Sequence, residues 1–281
     1  MWLFQVLLKV KKVTSIGEDA FGGCDSFTNI TIPNSITSIG DYAFYECIQL
    51  ASITIPYSVN YIGYCAFEFC TNLIRINVET GNEKYSSENG ILYNHDKTKL
   101  ICYPAGKKET SFSIPDSVTS ICTFAFKGCE SLTSVTISSS VTNLGDNVFE
   151  HCINLSSIII PDGLASIGGG TFAYCTSLTS ITIPNSVTNI GDYAFFICKS
   201  LTTITIPNSV TKIGRRAFYK CSNLASIPIP GSVASIYKYA LGYGCICNNN
   251  YEKIPDFKIY CYQGTVGEKY AKFNRFDYEL K

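Results

Sequence analysis

Apolar and polar positions recur along this chain in a unit of 23 residues. The unit reads I-G-D-Y-A-F-x-x-C-x-x-L-x-x-I-T-I-P-x-S-V-T-x, and residues 190–212 match it almost letter for letter. Eight copies carry cysteine three residues after a phenylalanine, and these phenylalanines are Phe21, Phe44, Phe67, Phe126, Phe149, Phe172, Phe195 and Phe218. A period of this length is typical of a solenoid, in which each coil buries its apolar face against the next one.

Each part of the unit predicts one element. The segment L-x-x-I-T-I-P alternates like a short strand that ends at its proline. The segment S-V-T-x-I-G returns the chain, and we expect its glycine to adopt a positive φ. The segment A-F-x-x-C predicts about two helical turns, with Asp41, Asp146 and Asp192 at the N-cap. A strand and a short helix are therefore expected in every coil.

The repeats resemble those of the BspA-like (Treponema-type) leucine-rich repeat family. Eight copies within residues 13–235 share the phenylalanine and cysteine columns, and most of them also carry the isoleucine, glycine, leucine and proline. The resemblance implies an α/β fold: a leucine-rich-repeat solenoid of stacked 23-residue strand–helix coils, with a parallel sheet on one face.

Two segments depart from the repeat. Ile62 and Ile121 are 59 residues apart, and residues 90–93 and 100–103 predict two strands around a polar turn. This segment resembles the β-hairpin module of the same family. Residues 257–260 and 266–273 resemble its terminal strand and helix. The sequence therefore predicts a solenoid over residues 1–240, with a hairpin insertion at about 79–111, and a capping module over residues 241–281.

Composition argues against several classes of function. The chain has 22 basic and 22 acidic residues, which favours no charged partner, and only two histidines. It contains no catalytic or phosphate-binding motif. No apolar run approaches the ~18–20 residues that span a bilayer. We expect no enzyme, no cofactor, no metal, no nucleic-acid partner and no membrane span.

The fourteen cysteines allow disulfides, metal ligation or buried free thiols. Column cysteines in neighbouring coils would lie about 4.8 Å apart, each with two equivalent neighbours. Because a disulfide needs a specific closer geometry, buried free thiols are the favoured interpretation. Near the C-terminus, Cys245, Cys247 and Cys261 could form one disulfide or a poor metal site, but structural thiols are favoured there too.

The outward strand positions offer a first candidate surface. They are mostly serine and threonine, which also simply favour solvated strands. The exceptions are Arg75, Asn77 and Ile159, which we expect to surround the hairpin insertion.

Tyrosines supply a second candidate surface. Tyr42, Tyr45, Tyr61 and Tyr64, together with Tyr57 and Phe69, crowd two consecutive repeats. Tyrosine suits binding surfaces because it combines a large area with a polar tip. The alternative is that they are ordinary exposed residues of a tyrosine-rich chain.

A third candidate surface is basic. Residues 201–281 carry eleven basic and five acidic side chains. Arg215, Arg216 and Lys238 are expected to cluster there, since Lys238 follows Arg215 by one repeat. Arg215 also occupies the expected N-cap column, an unfavourable place for a cation. A polyanion such as an acidic glycan could bind here, or the patch could be merely solvated.

We interpret the chain as a non-enzymatic protein-binding module. The family resemblance implies a cell-surface or secreted protein that helps microbes adhere, with a host-matrix or cell-surface protein as partner. The alternatives are a glycan-binding module and a structural spacer of a larger surface protein. Residues 1–13 show no basic segment or cleavage site typical of an export signal, so this chain itself gives no evidence for secretion.

Overall fold

The computed structural model describes residues 12–247 and 250–281. The sequence predicts an apolar first coil, with Trp2 and Phe4 at an edge that could be exposed, but these residues lie outside the described part of the chain. The described chain is a continuous stack of about eleven coils, and each coil contributes two short strands joined by turns. The leucine-rich repeat fold is therefore confirmed.

Each N-terminal repeat contributes one strand to each of two parallel sheets. Their strands are β1 (Ser15–Ile16), β2 (Asn29–Thr31), β3 (Ser38–Ile39), β4 (Ser52–Ile55), β5 (Tyr61–Ile62) and β6 (Arg75–Val78). Strands β2, β4 and β6 pair in parallel, and we call the sheet of these and equivalent strands the first-strand sheet. Strands β1, β3 and β5 also pair in parallel, and we call theirs the second-strand sheet. The register advances by one repeat, so that Ile30 lies opposite Ile53.

The insertion forms three strands, β7 (Tyr85–Glu88), β8 (Ile91–Asn94) and β9 (Lys99–Cys102). They pair antiparallel with one another, and β9 then continues the second-strand sheet. Ile91 and Tyr93 pack into the C-terminal part of the core, whereas Leu92 packs into the N-terminal part. The insertion is thus a partition that divides the core in two.

The remaining repeats restore the alternation. Their strands are β10 (Ser111–Ser113), β11 (Ser120–Ile121), β12 (Ser134–Thr136), β13 (Asn143–Leu144), β14 (Ser157–Ile159), β15 (Ser166–Ile167), β16 (Ser180–Thr182), β17 (Asn189–Ile190), β18 (Thr203–Thr205), β19 (Lys212–Ile213), β20 (Ser226–Pro228) and β21 (Ser235–Ile236). All of these pair in parallel where they are hydrogen-bonded.

The C-terminal segment closes the stack. It contains β22 (Tyr243–Cys247), β23 (Asn250–Lys253), β24 (Lys258–Cys261), helix α1 (Val266–Asn274) and β25 (Asp277–Leu280). Strand β24 pairs with β20 and with β25, which extends the first-strand sheet. Helix α1 buries Tyr270 and Ala271 over the end of the core.

The prediction of a helix in each coil is wrong. In the segment A-F-x-x-C, N–H groups alternate between a local turn and the next coil: Tyr45 N–H bonds to the Tyr42 carbonyl, but Phe44 N–H bonds to the Ala66 carbonyl. Tyr42 and Glu46 adopt left-handed φ values of 55° and 54°. A helix cannot contain such residues every fourth position, so α1 is the only helix among the described residues.

The expected roles of the repeat glycine and of the repeat aspartates are also wrong. The glycine after isoleucine does not adopt a positive φ; it allows close approach, because a Cβ on Gly40 would lie 2.6 Å from the backbone of Gly17. The aspartates are not N-caps. Asp41 Oδ1 accepts a hydrogen bond from the Tyr64 N–H of the next coil, at 2.8 Å.

The core follows the predicted columns. Phe172 stacks between Phe149 and Phe195, with ring centroids 5.7 and 5.4 Å away. Tyr103 of the insertion extends this column, with its ring 5.1 Å from that of Phe126. The eight column cysteines are free thiols, and all but Cys24 are buried. Their thiols bond between coils, as when Cys198 Sγ donates to the Phe172 carbonyl at 3.1 Å.

Candidate functional site

The turn segments form one side of the solenoid, which we call the turn face. It comprises residues 41–46, 64–69, 123–128, 146–151, 169–174, 192–197 and 215–220. Because the N–H groups of these turns bond to carbonyls one coil away, equivalent positions of successive coils stack in columns. Side chains that are 23 residues apart, or 59 across the insertion, therefore become neighbours.

Aromatic rings follow the turn face almost from end to end. Successive ring centroids lie 3.6 to 6.5 Å apart along Tyr42, Tyr45, Phe69, His151, Tyr174, Phe196, Tyr219, Tyr251 and Tyr239. Apart from Tyr219, which is buried, these rings are partly exposed. We call this set the aromatic ladder. It holds a large, preorganised aromatic surface at one side of the molecule.

The structure divides the predicted tyrosine cluster. Tyr42 and Tyr45 lie in the aromatic ladder, and Tyr64 contacts it through Tyr42, with 6.0 Å between the ring centroids. Tyr64 is 48% exposed. Tyr61 lies instead on strand β5, where its hydroxyl donates to Asp41 Oδ1 at 3.3 Å. Tyr57 lies in the turn between the two strands of its coil and is also exposed.

The strand-face residues are not a single cluster. Arg75 and Asn77 are exposed on β6, and a Cβ built on Gly90 of the insertion would lie 2.7 Å from Arg75 Cβ. Ile159, 60% exposed, lies on β14, two strands beyond β10 in the next sheet. Arg75 therefore borders the insertion, and Ile159 does not.

Arg216 is not an exposed member of a basic patch. Its guanidinium lies 5.5 to 6.0 Å from the ring centroids of Tyr193, Tyr219, Tyr239 and Tyr251. It donates to the hydroxyls of Tyr193 and Tyr251. The residue is half-buried inside the aromatic ladder, where cation–π attraction and hydrogen bonds hold it.

Arg215 and Lys238 are exposed, as the basic surface requires. Arg215 donates to the Tyr193 hydroxyl at 2.7 Å, and Lys238 Nζ lies 4.8 Å from the Tyr239 ring centroid. No helix begins at Arg215, so the expected unfavourable helix terminus does not exist. Its N–H instead bonds to Asp192 Oδ1 at 2.7 Å.

A cavity of about 710 Å³ lies where the insertion interrupts the turn face. At its margin the Lys127 ammonium pairs with Glu68 and, at 3.1 Å, with Glu150. The same ammonium lies 4.7 and 4.6 Å from the ring centroids of Phe69 and Phe124. Burial disfavours the charged lysine, but the two carboxylates outweigh that effect and raise the Lys127 pKa. We call this arrangement the Lys127 cage.

The Lys127 cage was not predicted from the sequence, although the spacing of two of its residues indicates that they are neighbours. Glu68 and Lys127 are separated by 59 residues, the spacing that also relates Ile62 to Ile121, so they occupy one column. Nearby, burial and a hydrogen bond to Glu68 raise the pKa of Cys65, and burial raises that of Tyr64 to about 12. These groups are therefore neutral at physiological pH, and neither is poised as a nucleophile.

A second depression, of about 490 Å³, lies farther along the turn face. Its floor is Gly169, Gly170 and Ala173, and we call it the Gly169 groove. Its walls are formed by the flanking coils, with Asp146, Asn147 and Glu150 on one side and Asp192, Tyr193 and Phe196 on the other. None of these residues is among the candidate site residues predicted from the sequence.

The remaining chemistry is sparse. Within residues 12–247 and 250–281, no three His, Cys, Asp or Glu side chains are grouped so as to hold a metal ion. Cys261 is a buried free thiol, whereas the side chains of Cys245 and Cys247 are outside what the structure describes. No helix in the described part of the chain is long and apolar enough to cross a membrane.

The stacked coils, the parallel sheets and the cysteine–phenylalanine columns define a leucine-rich-repeat solenoid. Residues 6–101, 102–196 and 165–268 match the family described as BspA type leucine rich repeat region. The chain belongs to this family, as its repeats predicted. No curated protein matches the chain.

Solved structures have the same fold. A leucine rich cell surface protein from Faecalibacterium prausnitzii is 37% identical, with a TM-score of 0.72 over 77% of this chain and 57% of its own. The pneumococcal vaccine antigen PcpA is 22% identical, with a TM-score of 0.74 over 96% of this chain and 66% of its own, which supports the fold alone. A leucine-rich repeat protein from Eubacterium ventriosum is 23% identical, with a TM-score of 0.60 over 85% of each chain. The chain thus spans less than two thirds of the first two proteins.

Proposed function

We propose that this chain is a non-enzymatic protein-binding module of a bacterial cell-surface or secreted protein, and that its partner docks on the turn face. The observation that carries the proposal is the aromatic ladder. Aromatic side chains, and tyrosine in particular, are enriched at protein interfaces because they bury much area at little entropic cost. Half-exposed rings held rigid by their neighbours are already organised for such a contact.

The repeats with Tyr42, Tyr45 and Tyr64 are the proposed centre of this surface. Tyr64 is the most exposed ring that contacts the aromatic ladder there, and its edge also meets Phe124, 5.4 Å away between centroids. Tyr61, on the neighbouring strand, borders the same region. Arg75, Asn77 and Ile159 stay a proposal for a secondary contact on the strand side.

Adhesion to host tissue is the proposed biological role. Two features support it: membership of the BspA type family, and similarity to a bacterial protein described as a cell surface protein. A host-matrix or cell-surface protein is accordingly the proposed partner.

The test is a binding screen against immobilised extracellular-matrix proteins, with a glycan array alongside. For a protein that binds, the variant Tyr45→Ala/Tyr64→Ala should weaken binding about tenfold or more, as loss of interface hot spots does. Tyr57→Ala is the matched control, because Tyr57 is as exposed as Tyr64 but lies off the turn face. It should leave binding unchanged.

The screen separates the alternatives. Binding to glycans and to no protein would replace this proposal by the glycan-binding module. Binding to neither class would favour a structural spacer. Protein binding that survives Tyr45→Ala/Tyr64→Ala would move the docking surface away from the turn face.

A further inference from the structure

The Gly169 groove exists because one coil lacks the side chains that its neighbours carry. Where the flanking coils have Asp146 and Asp192, this coil has Gly169. A Cβ on Gly169 would meet no atom nearer than 3.4 Å, so packing does not demand glycine at this position. Ala173 likewise occupies the column that Phe196 fills one coil later. A side chain would fit at Gly169, whereas Ala173 is buried, so the open part of the groove lies over Gly169.

The walls of the groove combine negative charge with aromatic surface. Asp146 Oδ1 accepts the Gly169 N–H at 2.6 Å, and Asp192 Oδ1 accepts the Arg215 N–H at 2.7 Å. Each of these exposed carboxylates keeps its second oxygen for another donor. Glu150 also lines the groove but already pairs with Lys127 at 3.1 Å, so the two aspartates are the carboxylates open to a ligand. No lysine or arginine belongs to the described lining, and Arg215 borders it through the Tyr193 hydroxyl.

Phe196 supplies the main aromatic face. It stacks on Tyr219 of the following coil, with centroids 5.6 Å apart and planes 11° from parallel. Tyr193 of the same coil meets the Phe196 ring at 5.4 Å between centroids, with planes 71° apart. Tyr174 meets Phe196 edge-on at 5.3 Å.

The turn face binds cations of its own chain in two places with the same columns. In the Lys127 cage, an ammonium lies between Glu68 and Glu150 and against two phenylalanine rings. Farther along, the Arg216 guanidinium lies among four tyrosine rings. The Gly169 groove, which lies between these two sites, has carboxylates like the first and aromatic rings like both.

We propose that the Gly169 groove binds an arginine side chain of a protein partner. A guanidinium over Gly169 would lie near the rings of Tyr174, Tyr193 and Phe196 that line the groove, a cation–π contact. Its N–H groups could donate to Asp146 and Asp192 in charge-assisted hydrogen bonds. This inference rests on the proposed function, because it assumes a protein partner, and it names the chemistry that such a partner must present.

The test uses the whole chain and a blocked tetra-arginine peptide, titrated by calorimetry at low ionic strength. The matched peptide in which citrulline replaces arginine keeps the shape and loses the charge, and should not bind. A tetra-lysine peptide should bind more weakly, since an ammonium lacks the planar fork of donors. Binding should weaken as salt is raised.

Two variants address the site itself. Asp146→Asn/Asp192→Asn keeps both Oδ1 acceptors and removes both charges, so it should fold normally and raise the Kd about tenfold or more. Gly169→Lys fits without a clash, places the chain's own ammonium between Asp146 and Asp192, and should abolish binding. Asp41→Asn is the control: it makes the same change in the same column outside the groove, and should alter the Kd less than about twofold.

Three results would overturn the inference: no binding of tetra-arginine, equal binding of the citrulline peptide, or equal loss in Asp41→Asn and the groove variants. The last would indicate diffuse attraction to acidic residues. These results leave the proposed function intact, because the matrix-protein screen depends on Tyr45 and Tyr64. Conversely, peptide binding through the groove without binding to any matrix protein or glycan would refute the proposed host-matrix partner and leave the arginine site in place.

Discussion

At the scale of single residues, the phenylalanine and cysteine columns carry the cohesion of the stack. Phe172 is fully buried and contacts a phenylalanine ring on each side. Its carbonyl accepts the Cys198 thiol from the next coil. One residue therefore joins three coils through both its side chain and its backbone.

Truncation of this residue should be costly. Phe172→Ala removes a buried ring and leaves a cavity between two rigid coils, so we expect a loss of about 3–5 kcal/mol in the free energy of unfolding. Phe172→Leu should cost less than half as much, because it retains most of the apolar volume. Denaturant titration measures both, and a loss below about 1 kcal/mol for the alanine variant would contradict the core assignment.

At the scale of elements, hydrogen bonds between coils replace helix hydrogen bonds. The turn that begins at Asp41 illustrates this, since the aspartate side chain accepts the Tyr64 N–H that would otherwise lack a partner. Aspartate is therefore favoured in this column because of the next coil, not because of a helix terminus.

This role predicts a contrast between two substitutions. Asp41→Ala removes the acceptor and should cost about 1 kcal/mol in unfolding free energy. Asp41→Asn keeps the acceptor oxygen and should cost less than half of that. Thermal unfolding compares the two, and equal losses would mean that the charge, rather than the hydrogen bond, matters.

The coils on either side of the insertion are joined by ion pairs. The Lys127 cage joins the coil before the insertion to the two coils after it, through Glu68 and Glu150. Lys127→Ala would leave two poorly solvated carboxylates without a counter-ion, and we expect a loss of about 3 kcal/mol. Lys199→Ala, at an exposed position of the same protein, should change stability by about 0.5 kcal/mol or less. Similar small effects for both variants would show that the cage is loose.

At the scale of the whole molecule, the buried thiols make stability depend on pH. Burial raises the pKa of Cys152 and Cys221 to about 12, whereas unfolded cysteine titrates near 8.5. Between these values the unfolded chain loses protons that the folded chain retains. Stability should therefore be complete below about pH 8.5 and fall above it, by about 1.4 kcal/mol per thiol and pH unit.

Urea unfolding at pH 7, 9 and 10 measures this fall. The variant Cys152→Ala/Cys221→Ala should be less stable at pH 7 but should lose less stability on going to pH 10. An unchanged slope would mean that other groups cause the alkaline destabilisation.

The basic C-terminal part of the molecule gives the last prediction. Arg215 and Lys238 are exposed, so Arg215→Glu/Lys238→Glu should weaken binding to heparin at low salt without much change in melting temperature. Arg216 is excluded from the test because its loss would remove the cation that four tyrosine rings surround near the C-terminal end of the aromatic ladder. The matched control is Lys84→Glu/Lys108→Glu, which reverses two exposed charges on the insertion. If both variants bind equally, the basic surface has no specific role.

The sequence by itself determined the solenoid, its period and the columns of its core. Phe172, Cys198 and their equivalents recur at fixed spacing, and only a stack of coils buries them together. The terminal helix, which begins at Val266, was expected from the resemblance to the family's terminal module.

Only the tertiary structure decided what happens between coils. The segment A-F-x-x-C has a pattern that fits a helix, but bonds such as Phe44 N–H to the Ala66 carbonyl make it a run of turns. The same stacking brings Lys127 to Glu68 and leaves the Gly169 groove open between Glu150 and Phe196. The physical reason is that local spacing fixes which residues a coil contains, whereas the partners of its backbone and surface side chains lie in the adjacent coils.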